Sequence, residues 1–261
     1  MSARKVIVHY HIFKNAGTSV DHMLRESLGD RWVAWDGTTP GSRISPSELE
    51  LFIGQHPEAI AFSSHQIVPP LPGGNLNVFP IVFVRHPLDR AYSAYLFEWA
   101  KQKGLASPTG SFEQFVTEKF HLKRKSAIED FQAFHLANRG YHNRTPSGSL
   151  DDEEILRNAK EFLLSLPFFG IVERYDDSLQ LMRARYQEHF PQLSFRSMRR
   201  NALQDVGLSL FEKVKRIKAS VSADCLAQLT LRNQLDLRLY EFAEALFLRN
   251  LREPGRDPAR T

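Results

Sequence analysis

The chain has 261 residues, of which 42% are hydrophobic and 25% charged, with a formal net charge of +4. That is ordinary globular composition, long enough for one large core, and the small positive excess suits an anionic ligand but is too weak to point to nucleic acid. No window reaches the roughly 18 consecutive apolar residues of a membrane span. The start, Met1 to Lys5, lacks a signal peptide's apolar core, and the single Cys225 excludes an internal disulfide and a cysteine-rich metal site; the expectation is a cytoplasmic protein.

In chain order, Val6, Ile7, Val8, Tyr10 and Ile12 form an apolar stretch with little alternation, the pattern of a buried parallel strand. Phe13–Ser19 is a turn, after which Val20, Met23, Leu24 and Leu28 fall at helical spacing up to Gly29. Ser45-Pro46-Ser47-Glu48 has the form of a capping box with proline at the first helical position and predicts a helix to about Gln55. Ala59–Ser63 and Val78–Val84 read as strands, joined by a Pro- and Gly-rich loop over 68–77. Pro87 opens a long helix through Tyr95 and Trp99. Residues 104–148 carry helical patterns near 111–120 and 126–138 and read as an insertion of the kind that shapes an acceptor site. Ile155, Leu156, Ala159, Phe162, Leu163 and Leu166 trace a helical face ended by Pro167. Phe168–Val172 is a short strand with a helix from about Asp176, and Leu235, Leu239, Phe242 and Leu246 mark a final amphipathic helix before a frayed tail over 251–261. Alternating strands and helices predict an α/β protein with a mostly parallel sheet flanked by helices.

Two strand-to-helix turns carry chemistry. In the first, His11-Ile12-Phe13-Lys14-Asn15-Ala16-Gly17-Thr18-Ser19, the loop enters a helix N-terminus, which presents unpaired N–H groups and a positive dipole end to an anion. Gly17 lets the backbone curl closely, Thr18 and Ser19 add hydroxyl donors, and Lys14 adds a mobile charge. This is not a Walker A sequence, because the lysine precedes the glycine, and no convincing partner aspartate for Mg²⁺ is found. In the second, Ile81 to Tyr95, Arg85 stands at a strand's carboxyl end, where open α/β sheets bind ligands, and Ser93 lies about two turns along the helix that Pro87 starts. Read alone, Arg85 could equally pair with Asp89, and the first turn could be a plain helix cap.

Together the turns resemble the sulfotransferase superfamily that uses 3′-phosphoadenosine 5′-phosphosulfate (PAPS), and most closely the branch with bacterial sulfotransferases and heparan sulfate 2-O-sulfotransferase. The first loop is similar to H-I-P-K-[TCN]-[GA]-G-T-[ST], with Phe13 in place of proline, and the second to R-[DH]-P-x-x-R-x-x-S-x-[YF]. Phe169 to Tyr175 and Asn233 to Phe242 resemble the family's F-x-G-[IL]-x-E-R-[FY] and N-x-x-D-x-x-L-Y-x-x-[FA] segments. The resemblance implies a P-loop-like three-layer sandwich over 1–250. It also implies a donor site in which Lys14, Gly17, Thr18 and Ser19, with Asn15 and Ala16 in the same loop, hold the 5′-phosphosulfate while Arg85 and Ser93 hold the 3′-phosphate. Arg199, Arg200 and Asn201 match the family's later nucleotide-closing segment poorly and default to a solvated basic cluster.

Sulfuryl transfer is an in-line displacement, and the moving group carries less charge than a phosphoryl group, so no metal is expected. Lys14 is the candidate for stabilising the departing oxygen, and His65, placed at the carboxyl edge after an apolar strand, for the base; a histidine at the corresponding place is the base in the 2-O-sulfotransferase branch. His86 reads as structural, His11 as orienting the loop, and Glu98 as a weaker base candidate. The implied acceptor is a hydroxyl, less so an amine, on a carbohydrate or glycolipid. Phe131, Phe134 and Tyr141 could stack on sugar rings, with core packing the simpler reading, and Lys123-Arg124-Lys125 reads as a solvated run. A P-loop kinase of a small metabolite and a non-catalytic nucleotide- or polyanion-binding module are the competing classes.

Overall fold

The computed structural model describes residues 3–39, 41–99, 104, 108–122, 126–138, 151–196 and 208–252. Five strands form one parallel sheet in the order β2-β3-β1-β4-β5: β1 (Arg4–Tyr10), β2 (Trp32–Ala34), β3 (Ala61–Ser64), β4 (Leu76–Val84) and β5 (Gly170–Ile171). β1 is central, and Val6, Ile7 and Val8 are fully buried, which is why it reads as an uninterrupted apolar run rather than an alternating one. Successive residues of a strand face opposite sides. His9 bonds to Asp21 of α1 (Gly17–Leu28), while Tyr10 packs edge-on against Phe162 of α6 (Asp152–Ser165). Helices therefore cover both faces, giving the expected three-layer α/β sandwich.

Proline inside β4 is tolerated for a local reason. The Pro80 carbonyl accepts a hydrogen bond from Tyr186 Oη at 2.5 Å, so this residue's polar edge turns away from β1, and β5 joins β4 only at Phe83 and Val84. The missing N–H thus costs no bond in the β1 ladder. Tyr186 belongs to α7 (Tyr175–Tyr186). The predicted capping box is present: Ser45 Oγ accepts from the Glu48 amide and Glu48 Oε2 accepts from the Ser45 amide, opening α2 (Pro46–Gln55). The helix after β4, α3 (Pro87–Phe97), packs with α4 (Phe112–Phe120), α8 (Leu210–Ala219) and α9 (Ala223–Leu231) around a second apolar cluster containing Leu88, Tyr95, Phe112, Phe115, Ile217 and Leu229. α5 (Phe131–Leu136) and α10 (Gln234–Arg252) join the main core.

Some expectations shift. The edge strand β2, second in chain order, lies outside the expected elements, as do α8 and α9. The segment read as a strand over 168–172 keeps only two strand residues before a 3-10 turn over Val172–Arg174. The helix expected over 126–138 is confined to 131–136, because Asp130 enters it in a left-handed conformation, φ 46°. Tyr141, Lys123 to Lys125, Arg199 to Asn201 and the tail from 253 lie outside the described residues.

Candidate active site

The order of the sheet decides where a ligand can sit. The chain leaves β1, builds β2 and β3 on one side of it, and then crosses to β4 on the other. The crevice beyond the carboxyl ends of β1 and β4 is therefore the topological switch point, the general ligand site of open α/β sheets. Both sequence turns open into that crevice, one after β1 and one after β4.

The turn after β1 is tight. The amide of Ile12 bonds to the Tyr10 carbonyl at 2.8 Å and that of Asn15 to the Ile12 carbonyl at 3.1 Å. Lys14 (φ 65°) and Ala16 (φ 61°) are both left-handed, a conformation that non-glycine residues adopt at some cost and that gathers at functional sites. Gly17 then begins α1. Its need for glycine comes from a neighbour, not from its own backbone angle: a Cβ there would lie 2.0 Å from Cδ2 of His11. The His11 ring is fixed in turn by Asp21, whose two carboxylate oxygens accept from His11 Nδ1 and His9 Nδ1, each at 2.7 Å. Burial raises the Asp21 carboxyl, but the two histidines outweigh it and hold it below the usual carboxylate range. His9, His11 and Asp21 also have the spacing of a metal-ion cluster, though a metal there must displace both Nδ1 protons. The Lys14 ammonium lies 4.3 Å from the ring centre of Phe97 at the end of α3.

The turn after β4 meets the first one directly. Arg85 Nη1 donates to the Lys14 carbonyl at 2.9 Å. Arg85 Nε and Nη2 both donate to Asp89 Oδ2 at 2.8 Å, so the pairing with Asp89 read as one alternative is present. A guanidinium has five N–H donors. These bonds use three, and two remain for an anion. The amide of His86 donates to Glu173 Oε1 at 2.9 Å, and Tyr240 Oη lies 3.3 Å from Glu173 Oε2. Burial, with Asp89 adding to it, pushes the Glu173 carboxyl up to about 7. Burial likewise pulls the His86 imidazole down to about 4, and its ring packs edge-on against Tyr240. His86 is a packed, neutral residue of the turn. Ser93 is half-buried on α3, Thr18 is exposed and Ser19 is 8% exposed.

His65 follows β3 at the same edge. Its amide donates to Asp36 Oδ1 at 2.8 Å, an oxygen that also accepts from Ser64 Oγ at 2.6 Å. Its Nδ1 lies 2.9 Å from the His11 carbonyl, and its ring sits on the His11 ring with centroids 3.8 Å apart. A carbonyl can only accept, so Nδ1 carries the proton and the lone pair of the neutral ring is on Nε2. Desolvation, then the proximity of His11, lowers the His65 pKa.

The structure thus gathers Lys14, Gly17, Arg85 and His65 at one sheet edge. Asn15 differs from the rest of its loop: its side chain is buried and points inward, with Nδ2 on the Phe83 carbonyl at 2.7 Å. Glu98 is paired with Lys119 at 2.5 Å. Phe131 and Phe134 are core residues. Asp21, Asp36, Glu173 and Gln132, which support the site, were not singled out by the sequence. Glu173 stood inside a recognised segment, but the others form their bonds only through tertiary contacts.

The model of the sulfotransferase family matches residues 1–243. The chain is also 30% identical over 251 residues to an uncharacterized protein of Archaeoglobus fulgidus, covering 91% of this chain and 95% of that one. Among the described residues no helix is long and apolar enough to cross a membrane.

Proposed function

The chain belongs to the sulfotransferase family, and from that premise we propose that it moves a sulfuryl group from PAPS to a hydroxyl of an acceptor, with a carbohydrate or glycolipid as the acceptor class and His65 as the base. The observation that carries the reading is the contact between the turn after β1 and the turn after β4 at the switch point, Arg85 Nη1 on the Lys14 carbonyl at 2.9 Å, with His65 against His11 beside it. A fit to the nucleotide is supported by the donor chemistry present. The first turn of α1 offers amides without helical partners, and Arg85 keeps two N–H groups.

When bound, PAPS supplies an activated sulfuryl group on a good leaving group. Lys14 and the amides at the start of α1 hold the phosphosulfate end and stabilise charge on the departing phosphate oxygen. Arg85 and Ser93 hold the 3′-phosphate. His65 takes the acceptor proton on Nε2 while the His11 carbonyl fixes its tautomer and the Asp36 carboxylate fixes its backbone. Desolvation and the nearby His11 lower its pKa, which favours the neutral ring with the lone pair on Nε2.

The test pairs calorimetry of adenosine 3′,5′-bisphosphate with a labelled-sulfate transfer assay over a panel of hydroxylated acceptors. His65→Ala is expected to bind the nucleotide as the wild type does and to lose transfer by roughly 10²–10⁴-fold. Undiminished turnover removes His65 from the mechanism, and absence of nucleotide binding by the wild type removes the whole reading.

A further inference from the structure

Gln132 lies in no segment that carries chemistry by its sequence, yet it stands between the two turns. It is the second residue of α5, fully buried, and all of its carboxamide capacity is engaged. Oε1 accepts from Asn15 Nδ2 at 2.7 Å and from the Arg85 amide at 2.8 Å. Nε2 donates to the Arg85 carbonyl at 2.9 Å and to Asp236 Oδ2 at 3.2 Å. Two lone pairs and two N–H groups are thus matched one to one. The orientation is fixed as well, because the Arg85 N–H demands an acceptor and the Arg85 carbonyl a donor, so a flipped amide loses both. The side chain pairs with Arg85 as a neighbouring strand does and reaches across to Asn15 in the other turn. Asp236 of α10 also accepts from the amides of Gln132 and Ala133, which anchors the start of α5.

We propose that Gln132 is a positioning residue for the donor nucleotide: it fixes the separation and relative orientation of the turn after β1 and the turn after β4, so that one doubly phosphorylated adenosine engages both. The inference rests on the reading of those turns as the two phosphate sites. Each turn is built on its own strand and helix, and Gln132 adds the tie between them, holding the Arg85 backbone on one side and the Asn15 side chain on the other. A ligand that spans the site gains from that relation because its second contact is intramolecular once the first is made. A ligand that touches one turn gains nothing. This separates a positioning role from a structural one, since general loosening of the fold weakens every ligand alike.

The experiment measures dissociation constants of adenosine 3′,5′-bisphosphate, adenosine 5′-monophosphate and adenosine 3′-monophosphate for the wild type and Gln132→Ala, by calorimetry or ligand-observed NMR. Thermal unfolding confirms that each protein is folded. Gln132→Ala is expected to weaken the bisphosphate by about tenfold or more while both monophosphates stay within about threefold. Asn15→Ala cuts the bridge from the other side, together with the Asn15 bond to the Phe83 carbonyl that also ties the two turns, and leaves Gln132 bonded to Arg85 and Asp236. It should show the same selectivity, and it carries the test if Gln132→Ala does not fold. Equal weakening of all ligands, or of none, in the folded variant overturns the inference. A wild type that fails to bind the bisphosphate overturns the nucleotide reading itself, a result distinct from the others.

Discussion

His11 is held from several directions. Asp21 fixes Nδ1, Gly17 leaves room for the ring, and His65 lies on its face while bonding to its carbonyl. Gly17→Ala forces a methyl group into that ring and is expected to destabilise the protein by about 1–3 kcal/mol, the usual cost of overpacking. His11→Ala empties the space. The pair should therefore be coupled, with the double variant more stable than the sum of the single losses predicts, measured by urea unfolding of all four proteins. Strict additivity contradicts the contact as the reason for glycine. The same ring helps tune His65, the proposed base. With His65 lowered by desolvation and by His11, the acid limb of kcat/KM should fall below the ordinary histidine value of about 6.5. Asp36 works in the opposite sense, raising the His65 pKa. Asp36→Asn keeps an oxygen for the His65 amide and for Ser64 but removes the charge, so it should move the acid limb to still lower pH. A limb that moves upward shows that Asp36 acts on some other group.

Among the elements, Glu173 ties the end of β5 to the turn before α3 and, through Tyr240, to α10. An unfolded glutamate titrates near 4.3, and burial raises the folded value to about 7. Between those limits the folded protein holds a proton that the unfolded chain has lost, so stability falls as pH rises through this window. The full span corresponds to roughly 3–4 kcal/mol. Glu173→Gln removes the titrating proton while its Oε1 still accepts from the His86 amide; its Nε2 meets Tyr240 Oη, which then accepts where it had donated. It should match the wild type near the acid end and exceed it by up to roughly 3–4 kcal/mol at pH 8, measured by urea unfolding across the range. Parallel pH profiles for the two proteins rule out Glu173 as the titrating group. The element scale also shows what local sequence can and cannot reveal. The α2 capping box needs only four consecutive residues, and β1 and β4 announce themselves as apolar runs. β2, three residues long, has no room to display a period. Ser209 and Glu212 form a capping box that opens α8, a signal as short and local as that of α2. The bonds from Gln132 to Asn15, Arg85 and Asp236 join residues 47 to 117 positions apart. No window along the chain contains such a bridge, so the sequence places α5 in an insertion that shapes the acceptor site, and not as the tie between the two turns.

Across the whole molecule, the parallel sheet places three loops at one edge, after β1, β3 and β4, and a ligand spanning the loops after β1 and β4 acts as a tie between those two halves. A ligand that binds only the folded state stabilises it by mass action, about 2.7 kcal/mol at a hundred times its dissociation constant. At roughly 2–4 °C per kcal/mol for a protein of this size, adenosine 3′,5′-bisphosphate should raise Tm by about 5–10 °C. Whether Mg²⁺ matters to that shift separates this enzyme class from a P-loop kinase on chemical grounds. A kinase positions its transferred group through a metal held by the Walker threonine or serine and an aspartate, an order of residues that Lys14 to Ser19 do not follow. On the proposed reading, the anionic ends of the nucleotide are matched by Lys14, Arg85 and helix amides, a donor set that needs no metal to complete it. The Tm shift should therefore be the same in excess EDTA as in millimolar Mg²⁺, and it should shrink as salt screens the charges. A shift that appears only with Mg²⁺, and with ATP rather than the bisphosphate, would place the chain's chemistry with phosphoryl transfer despite its sulfotransferase membership.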